Sequence, residues 1–418
     1  MVVTRQTRGP LARYLAVAVP IRLAAEGARV ALILLAAERT GAVTFGGLLT
    51  AVLLVPSVVA APVMGALADR VRRKKPFFSG VLACYAVCLA AVAVLTGRAP
   101  DAVTLAVALP AGCCGPLVTG GLTSLLPVML PAEALPRAFS FDSTSYNVAG
   151  IVGPSVAAVL TEVAGAGWAT VCLAGCALAA AVTLSAGLPL PSRSPVRPPA
   201  GEASVLGGVL EIVRNPPLSG VTWASCIGQA GVGALPIITA LVAAERGSTW
   251  AAGGLMTVYA CGSLVGSASY ALRPWSVERP ERVVVGCVVL AALPLALSTL
   301  LDGLWPVAAL FACGGWCTGP LFSALLAARE KYTPAGLRTQ VFTVGAGLKS
   351  AFAAGGAALA GVFHTLGSAR LLWAVAATLV LASVTGTLRM RRAGPRGCGC
   401  EGVPDRSGRS SSSARAAG

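Results

Sequence analysis

Gly65-Ala-Leu-Ala-Asp69-Arg70-Val-Arg72-Arg73-Lys74-Lys75 sets one carboxylate and five cations between two long apolar runs, 44–64 and 76–95. A run of about 20 apolar residues is long enough to cross the hydrocarbon core of a bilayer as a helix. Cations clustered between two crossings are retained on the cytoplasmic side. The stretch therefore reads as a short cytoplasmic loop between a second and a third membrane helix.

The rest of the chain repeats that pattern. With 56% hydrophobic and 11% charged residues and a mean hydropathy of +0.79, it lies outside the range of ordinary soluble domains. Twelve apolar runs can be traced: 14–37, 44–64, 76–95, 102–125, 143–162, 168–189, 219–243, 251–272, 283–301, 304–327, 340–363 and 370–388. The net charge of +16 raises the question of a nucleic-acid partner, and the positions of the cations answer it. Of the 32 Lys and Arg, 25 fall in the termini and the loops on the side of Arg70–Lys75, and four (Arg39, Arg98, Arg246, Arg370) in the opposite loops. That asymmetry is the signature of cytoplasmic loops, so no nucleic acid is needed to explain the basic composition. It places both termini in the cytoplasm of a multi-pass protein of the cell membrane, with the lipid bilayer as its surroundings and a basic tail able to meet anionic lipid. The first apolar run has no small-residue cleavage site after it, so no cleaved signal peptide is expected.

An internal repeat divides the chain. Gly46-Gly47-Leu48-Leu49-Thr50 recurs as Gly253-Gly254-Leu255-Met256-Thr257, Gly115-Pro116-Leu117 as Gly319-Pro320-Leu321, and Pro131-Ala132 with Phe139 as Pro334-Ala335 with Phe342. The three offsets, 207, 204 and 203 positions, are nearly constant and in order, as two duplicated six-helix halves require. The expected organisation is an N-terminal bundle over 1–189 and a cytoplasmic linker over 190–217, with a short amphipathic helix near Val205–Val213. A C-terminal bundle over 218–389 and a disordered basic tail over 390–418 complete it.

The loop Gly65-x-x-x-Asp69-Arg70-x-x-Arg73-Lys74 after a second membrane helix resembles the loop 2–3 signature of the major facilitator superfamily; Arg72 stands where the usual form has Gly. With the helix count and the duplication, the resemblance covers about residues 10–390. It implies an all-α membrane fold of twelve transmembrane helices in two six-helix bundles that rock to expose a central cavity to either side. It further implies that Gly65, Asp69, Arg70 and Arg73 help hold the halves together on the cytoplasmic face. Physical chemistry agrees: Gly65 would let spans 2 and 11 approach closely, and the start of span 11 near Thr339 offers a positive helix end to Asp69. In span 5, Gly150, Gly153 and Pro154 resemble the Gly-x-x-x-Gly-Pro-x-x-Gly motif of exporters in this superfamily. Only Gly153-Pro154 matches strictly; Ala149 sits where the first Gly should be, and Ala157 replaces the last.

Charges inside the spans mark the candidate cavity. Arg22, Glu26 and Arg29 fall within a 60° arc of one helix, and Glu26 lies about twelve residues into the first span, near the bilayer centre. A charge there costs about 2.5–3.5 kcal/mol even on the insertion scale, so this stripe is expected to face a polar cavity, a structural charge network being the alternative. Lys349 in span 11 is flanked by apolar and small residues and cannot readily reach water; it is expected to pair with Glu26 or to face an anionic substrate. Asp142 and Glu162 fall at the ends of spans, leaving Glu26 as the deep acid expected to couple protons to transport.

The 13 cysteines are mostly single residues inside spans, where thiols pack as small apolar groups. Cys398 and Cys400 alone do not make a zinc site, and the single His364 sits near the end of span 11. No metal, cofactor or catalytic cluster is expected, and no enzyme. The reading is a secondary active transporter, monomeric, with proton-coupled efflux of a small organic molecule leading. Transport of an anionic metabolite in either direction, or a sensor or scaffold of the same fold, stays open.

Overall fold

The computed structural model describes residues 5–188, 190, 204–248 and 251–391 of the 418. Twelve long helices run through them: α1 Arg5–Thr40, α2 Val43–Arg70, α3 Lys74–Leu95, α4 Asp101–Pro116, α5 Leu135–Ala164, α6 Ala166–Gly187, α7 Pro216–Glu245, α8 Ala251–Leu272, α9 Pro280–Leu297, α10 Leu304–Tyr332, α11 Arg338–Val362 and α12 Ser368–Arg391. No strand is present among the described residues. Long apolar helices follow from the solvent: in hydrocarbon each backbone N–H and C=O must find its partner within the segment. Large apolar side chains such as Val59, Leu272 and Trp305 stay exposed on the outer surface, where lipid covers them.

Eleven of the twelve helices are long and apolar enough to cross a membrane, α4 together with its continuation over Leu117–Gly121, and α1 is the exception. Its length is ample, about 54 Å at 1.5 Å per residue, but Arg22, Glu26 and Arg29 interrupt its middle. Several helices extend beyond their apolar runs. α5 begins at Leu135 and α10 continues to Tyr332, and both extensions carry charge into the interior.

The helices form two bundles of six with matching internal contacts. In the first, α1 packs on α5 and α6, α3 on α6, and α4 on α2; in the second, α7 packs on α11 and α12, α9 on α12, and α10 on α8. Between bundles, α2 meets α11 and α5 meets α8, the same pairing seen from either side of a two-fold. A motif overlooked in the sequence reinforces the duplication. Glu38-Arg39 ends α1 and Glu245-Arg246 ends α7, 207 positions apart. Glu38 accepts from the amide of Ala166 at the start of α6 (2.6 Å), as Glu245 accepts from that of Ser368 at the start of α12 (2.8 Å). Arg39 donates to the carbonyl of Ala93 (2.6 Å), and Arg246 to those of Leu301 and Asp302 (2.8 and 2.9 Å). Gly165 and Gly367 precede the two capped starts with φ of 88° and 83°, a backbone that favours glycine.

A short helix, Gly207–Arg214, lies in the expected linker and buries Ile212 against the second bundle. The linker over 191–203 and the tail from 392, with Cys398 and Cys400, lie outside the described residues; α12 itself continues through 390 and 391.

Candidate functional site

The loop after α2 sits where the bundles meet, on the face that carries Arg70–Lys75. Asp69 ends α2 almost fully buried, and its two carboxylate oxygens accept from the amides of Thr339 and Gln340, 3.0 Å each. These amides belong to the first turn of α11, where no intrahelical acceptor exists and the helix dipole favours an anion. One carboxylate of the first bundle thus caps a helix of the second. Gly65 makes the crossing possible: a Cβ there would stand 2.6 Å from the Gln340 Cα. Below it, Thr343 donates to the carbonyl of Ala61 (3.0 Å) and Ser124 to the Thr339 hydroxyl (3.1 Å). Gln340 also accepts from the Gly208 amide of the linker helix (2.6 Å), so the linker is tied to the same point. Arg70 and Arg73 are exposed on this face. Among the described residues, the matching crossing of α5 and α8 is bonded through neutral groups: Thr144 to Ser267 (3.1 Å), Ser263 to Asn147 (3.2 Å) and Asn147 to Ser267 (3.4 Å).

Beyond these contacts the bundles enclose a central cavity of about 610 Å³, walled by both halves. Volumes of this order hold drug-sized molecules. Glu26, Arg29 and Lys349 line it, as does Gly150. Glu26 and Arg29 form an ion pair at 2.7 Å, part-exposed to the cavity. Lys349 does not pair with Glu26; its Nζ lies 3.7 Å from the centroid of the Phe322 ring, which meets Tyr146 edge-on at 5.2 Å.

Arg22 departs from the expected stripe. It turns into the first bundle, 2% exposed, and forms an ion pair at 2.7 Å with Asp142, itself fully buried. Tyr14 and Thr123 (2.9 Å) also donate to that carboxylate, while Arg22 donates to Thr123 (3.2 Å) and Ser145 and stacks 3.6 Å over Tyr146. Glu26 is therefore not the one deep acid. Asp142 lies in the third turn of α5, because the helix starts before its apolar run does. A helical wheel puts three charges on one arc, but it cannot say which neighbour each will meet. Arg329 was likewise hidden: hydropathy assigns it to a loop, whereas α10 carries it inward to 1% exposure at the cavity wall.

The span-5 glycines separate. Gly153 packs against α1, where a Cβ would stand 2.9 Å from the Gly27 nitrogen and the Leu23 carbonyl oxygen, whereas a Cβ at Gly150 would meet nothing. Pro154 lies within α5 and outside the cavity wall. Among the described residues, no cluster of His, Cys, Asp or Glu is arranged to hold a metal ion.

Two six-helix bundles around a cavity, joined by a carboxylate that caps a helix of the other half, define a multi-pass membrane transporter. The profile of the Major Facilitator Superfamily matches residues 15–344, and the chain belongs to that family. It is 27% identical over 382 residues, 88% of this chain and 90% of its relative, to the uncharacterized MFS-type transporter y4rN of Sinorhizobium fredii (strain NBRC 101917 / NGR234). Its fold is shared with the bacterial homologue of the iron transporter ferroportin in its outward-facing state (TM-score 0.77, 11% identity, 91% of this chain and 98% of that one). It is also shared with the human organic anion transporter MFSD10 (TETRAN) (TM-score 0.72, 17% identity, 90% of this chain and 99% of that one).

Proposed function

We propose that the protein is a proton-coupled exporter that moves a small organic molecule across the cell membrane by alternating access. The observation that carries this reading is the Asp69 cap on α11. A single carboxylate joins two bundles on the basic face, next to a cavity both bundles wall. Such a contact is made in one state and broken in the other, as rocking requires. The basic face is cytoplasmic on this reading, with both termini, and Gly65, Asp69, Arg70 and Arg73 form its gate. The bodies that rock are 1–189 and 218–389, with 190–217 between them, and the chain works as a monomer. Gly153 and Pro154 shape the α1–α5 packing of the moving half.

Glu26 is the proton carrier in this account, because it is a carboxylate open to the cavity and held by one cation. Protonation would release Arg29, and substrate release would restore the pair. The test is transport in proteoliposomes with an imposed proton gradient across a panel of organic compounds. Wild-type protein is expected to accumulate a compound only with the gradient, and Glu26→Gln to exchange it without accumulating it. Accumulation by Glu26→Gln at the wild-type rate would remove Glu26 from coupling.

A further inference from the structure

Most buried or cavity-lining charges here are answered. Arg22 has Asp142, and Arg29 has Glu26. Arg329 has no such partner. Its guanidinium is buried, no carboxylate lies within ion-pair distance among the described residues, and its Nε and Nη2 make no hydrogen bond. Lys349 likewise has no carboxylate and rests on the face of Phe322. Both side chains line the central cavity, so its wall carries two basic groups that no carboxylate answers among the described residues.

The internal repeat puts neutral residues where the first bundle has its buried pair: Arg22 corresponds to Gln229, 207 positions on, and Arg329 comes from a different helix, α10. Pro131 and Phe139 recur as Pro334 and Phe342, 203 positions on, and the same offset carries Asp142 to Gly345. In the first bundle that register holds the carboxylate that neutralises Arg22. In the second it holds a glycine lying directly against the Arg329 guanidinium, where a Cβ would stand 2.8 Å from Nη1. Gly345 thus puts no side chain against Arg329, whose guanidinium fills that space with Cζ nearest to a Cβ there, and Lys349 follows one turn later on the same side of α11. A buried charge without a partner is costly, so an arrangement that keeps two of them in one cavity is suited to an anion that arrives with the substrate.

We infer that the cargo is an aromatic organic anion, its carboxylate, sulfonate or phosphate held by Arg329 and Lys349 and its ring resting against Phe322 and Tyr146. The inference rests on the transport reading above and names its substrate class.

The test is equilibrium binding to the full-length protein in phosphatidylcholine nanodiscs. The probes are benzoate, naphthalene sulfonate and phenyl phosphate, each beside a neutral isostere: benzamide, naphthalene sulfonamide and phenol. At least one anion is expected to bind about tenfold or more tightly than its isostere. Arg329→Gln and Lys349→Gln should each remove that preference without weakening the isostere. Gly345→Asp, which sets a carboxylate against Arg329, should abolish it. Arg329→Gln should unfold at or above the wild-type temperature, because it removes an uncompensated charge, so its loss of binding would not reflect misfolding. No preference for any anion in the wild type, or a preference that survives all three substitutions, overturns the inference. Proteoliposomes separate the two readings. Anion binding without accumulation of any probe would sink transport and leave the site. Accumulation of neutral or cationic probes, indifferent to the three substitutions, would sink the site and leave transport.

Discussion

The first bundle neutralises its buried arginine and the second does not. Arg22 meets Asp142 with Tyr14, Thr123 and Ser145 around the pair, whereas Arg329 meets Gly345. The crossings between the bundles are uneven in the same sense: α2 holds α11 through a carboxylate, and α5 holds α8 through hydroxyls and an amide. Duplication supplied two equal frames, visible still in the matching Glu-Arg clasps on the opposite face. The difference between the halves lies where charge is kept or removed. One half pairs each of its intramembrane arginines with a carboxylate, and the other leaves Arg329 and Lys349 at the cavity wall without one among the described residues.

The largest expected effect tests the Arg22–Asp142 pair. Asp142→Asn leaves Arg22 buried beside a neutral group, a change worth about 3–5 kcal/mol of stability when a buried pair is broken. Unfolding in detergent should register it as a large fall in midpoint, while Arg329→Gln should show none. Equal losses in the two variants would erase the distinction between the halves.

The α2–α11 crossing, the proposed gate, comes next. Hydrogen bonds to a charged group contribute about 1.5–3 kcal/mol each, and Asn retains only part of what Asp69 offers two amides. Asp69→Asn is expected to slow turnover by about tenfold or more, at unchanged expression. Asn147→Ala, on the neutral crossing, removes contacts of about 0.5–1.5 kcal/mol and should slow it less than Asp69→Asn does. Transport rates for the pair in one vesicle preparation decide this, and a reversed order would place the gate at α5 and α8.

Gln340→Ala sharpens the same point at a smaller scale, since it cuts the Gly208 bond that ties the linker helix to the gate. One buried hydrogen bond of about 1 kcal/mol predicts a loss of roughly fivefold in turnover. Smallest of all should be the difference between Glu38→Gln and Glu245→Gln. Each weakens a helix start by about 0.5–2 kcal/mol, and because the clasps are repeats their unfolding midpoints should fall by matching amounts. A clear mismatch would mean that the duplication is not preserved on that face.

Much of this was legible in the sequence because lipid imposes simple rules. Apolar runs gave the crossings, cation placement gave the likeness of alternate loops, and an acid at the head of a basic loop pointed to Asp69 and its partner helix. Lys349 stood out because the residues around it are apolar or small. Asp142 and Arg329 were missed for one reason: hydropathy marks the part of a helix that meets lipid, not the part that is helical. α5 and α10 carry both residues beyond their apolar runs and into the protein interior. The partition of Arg22 from Glu26 and Arg29 needed the positions of α4 and α5, which no periodicity contains. The repeat offset that sets Asp142 against Gly345 was available in the sequence, but only the structure shows what each position touches.

The measurement that bears most directly on the account is the distance across the gate. Spin labels on genetically encoded amino acids at the exposed positions Arg72 and Ala335 would report how far the α2–α3 loop stands from the start of α11. The account predicts two distance populations whose ratio shifts with substrate and proton gradient, with Asp69→Asn enlarging the longer one. A single distance, the same in wild type and in Asp69→Asn under every condition, would contradict it.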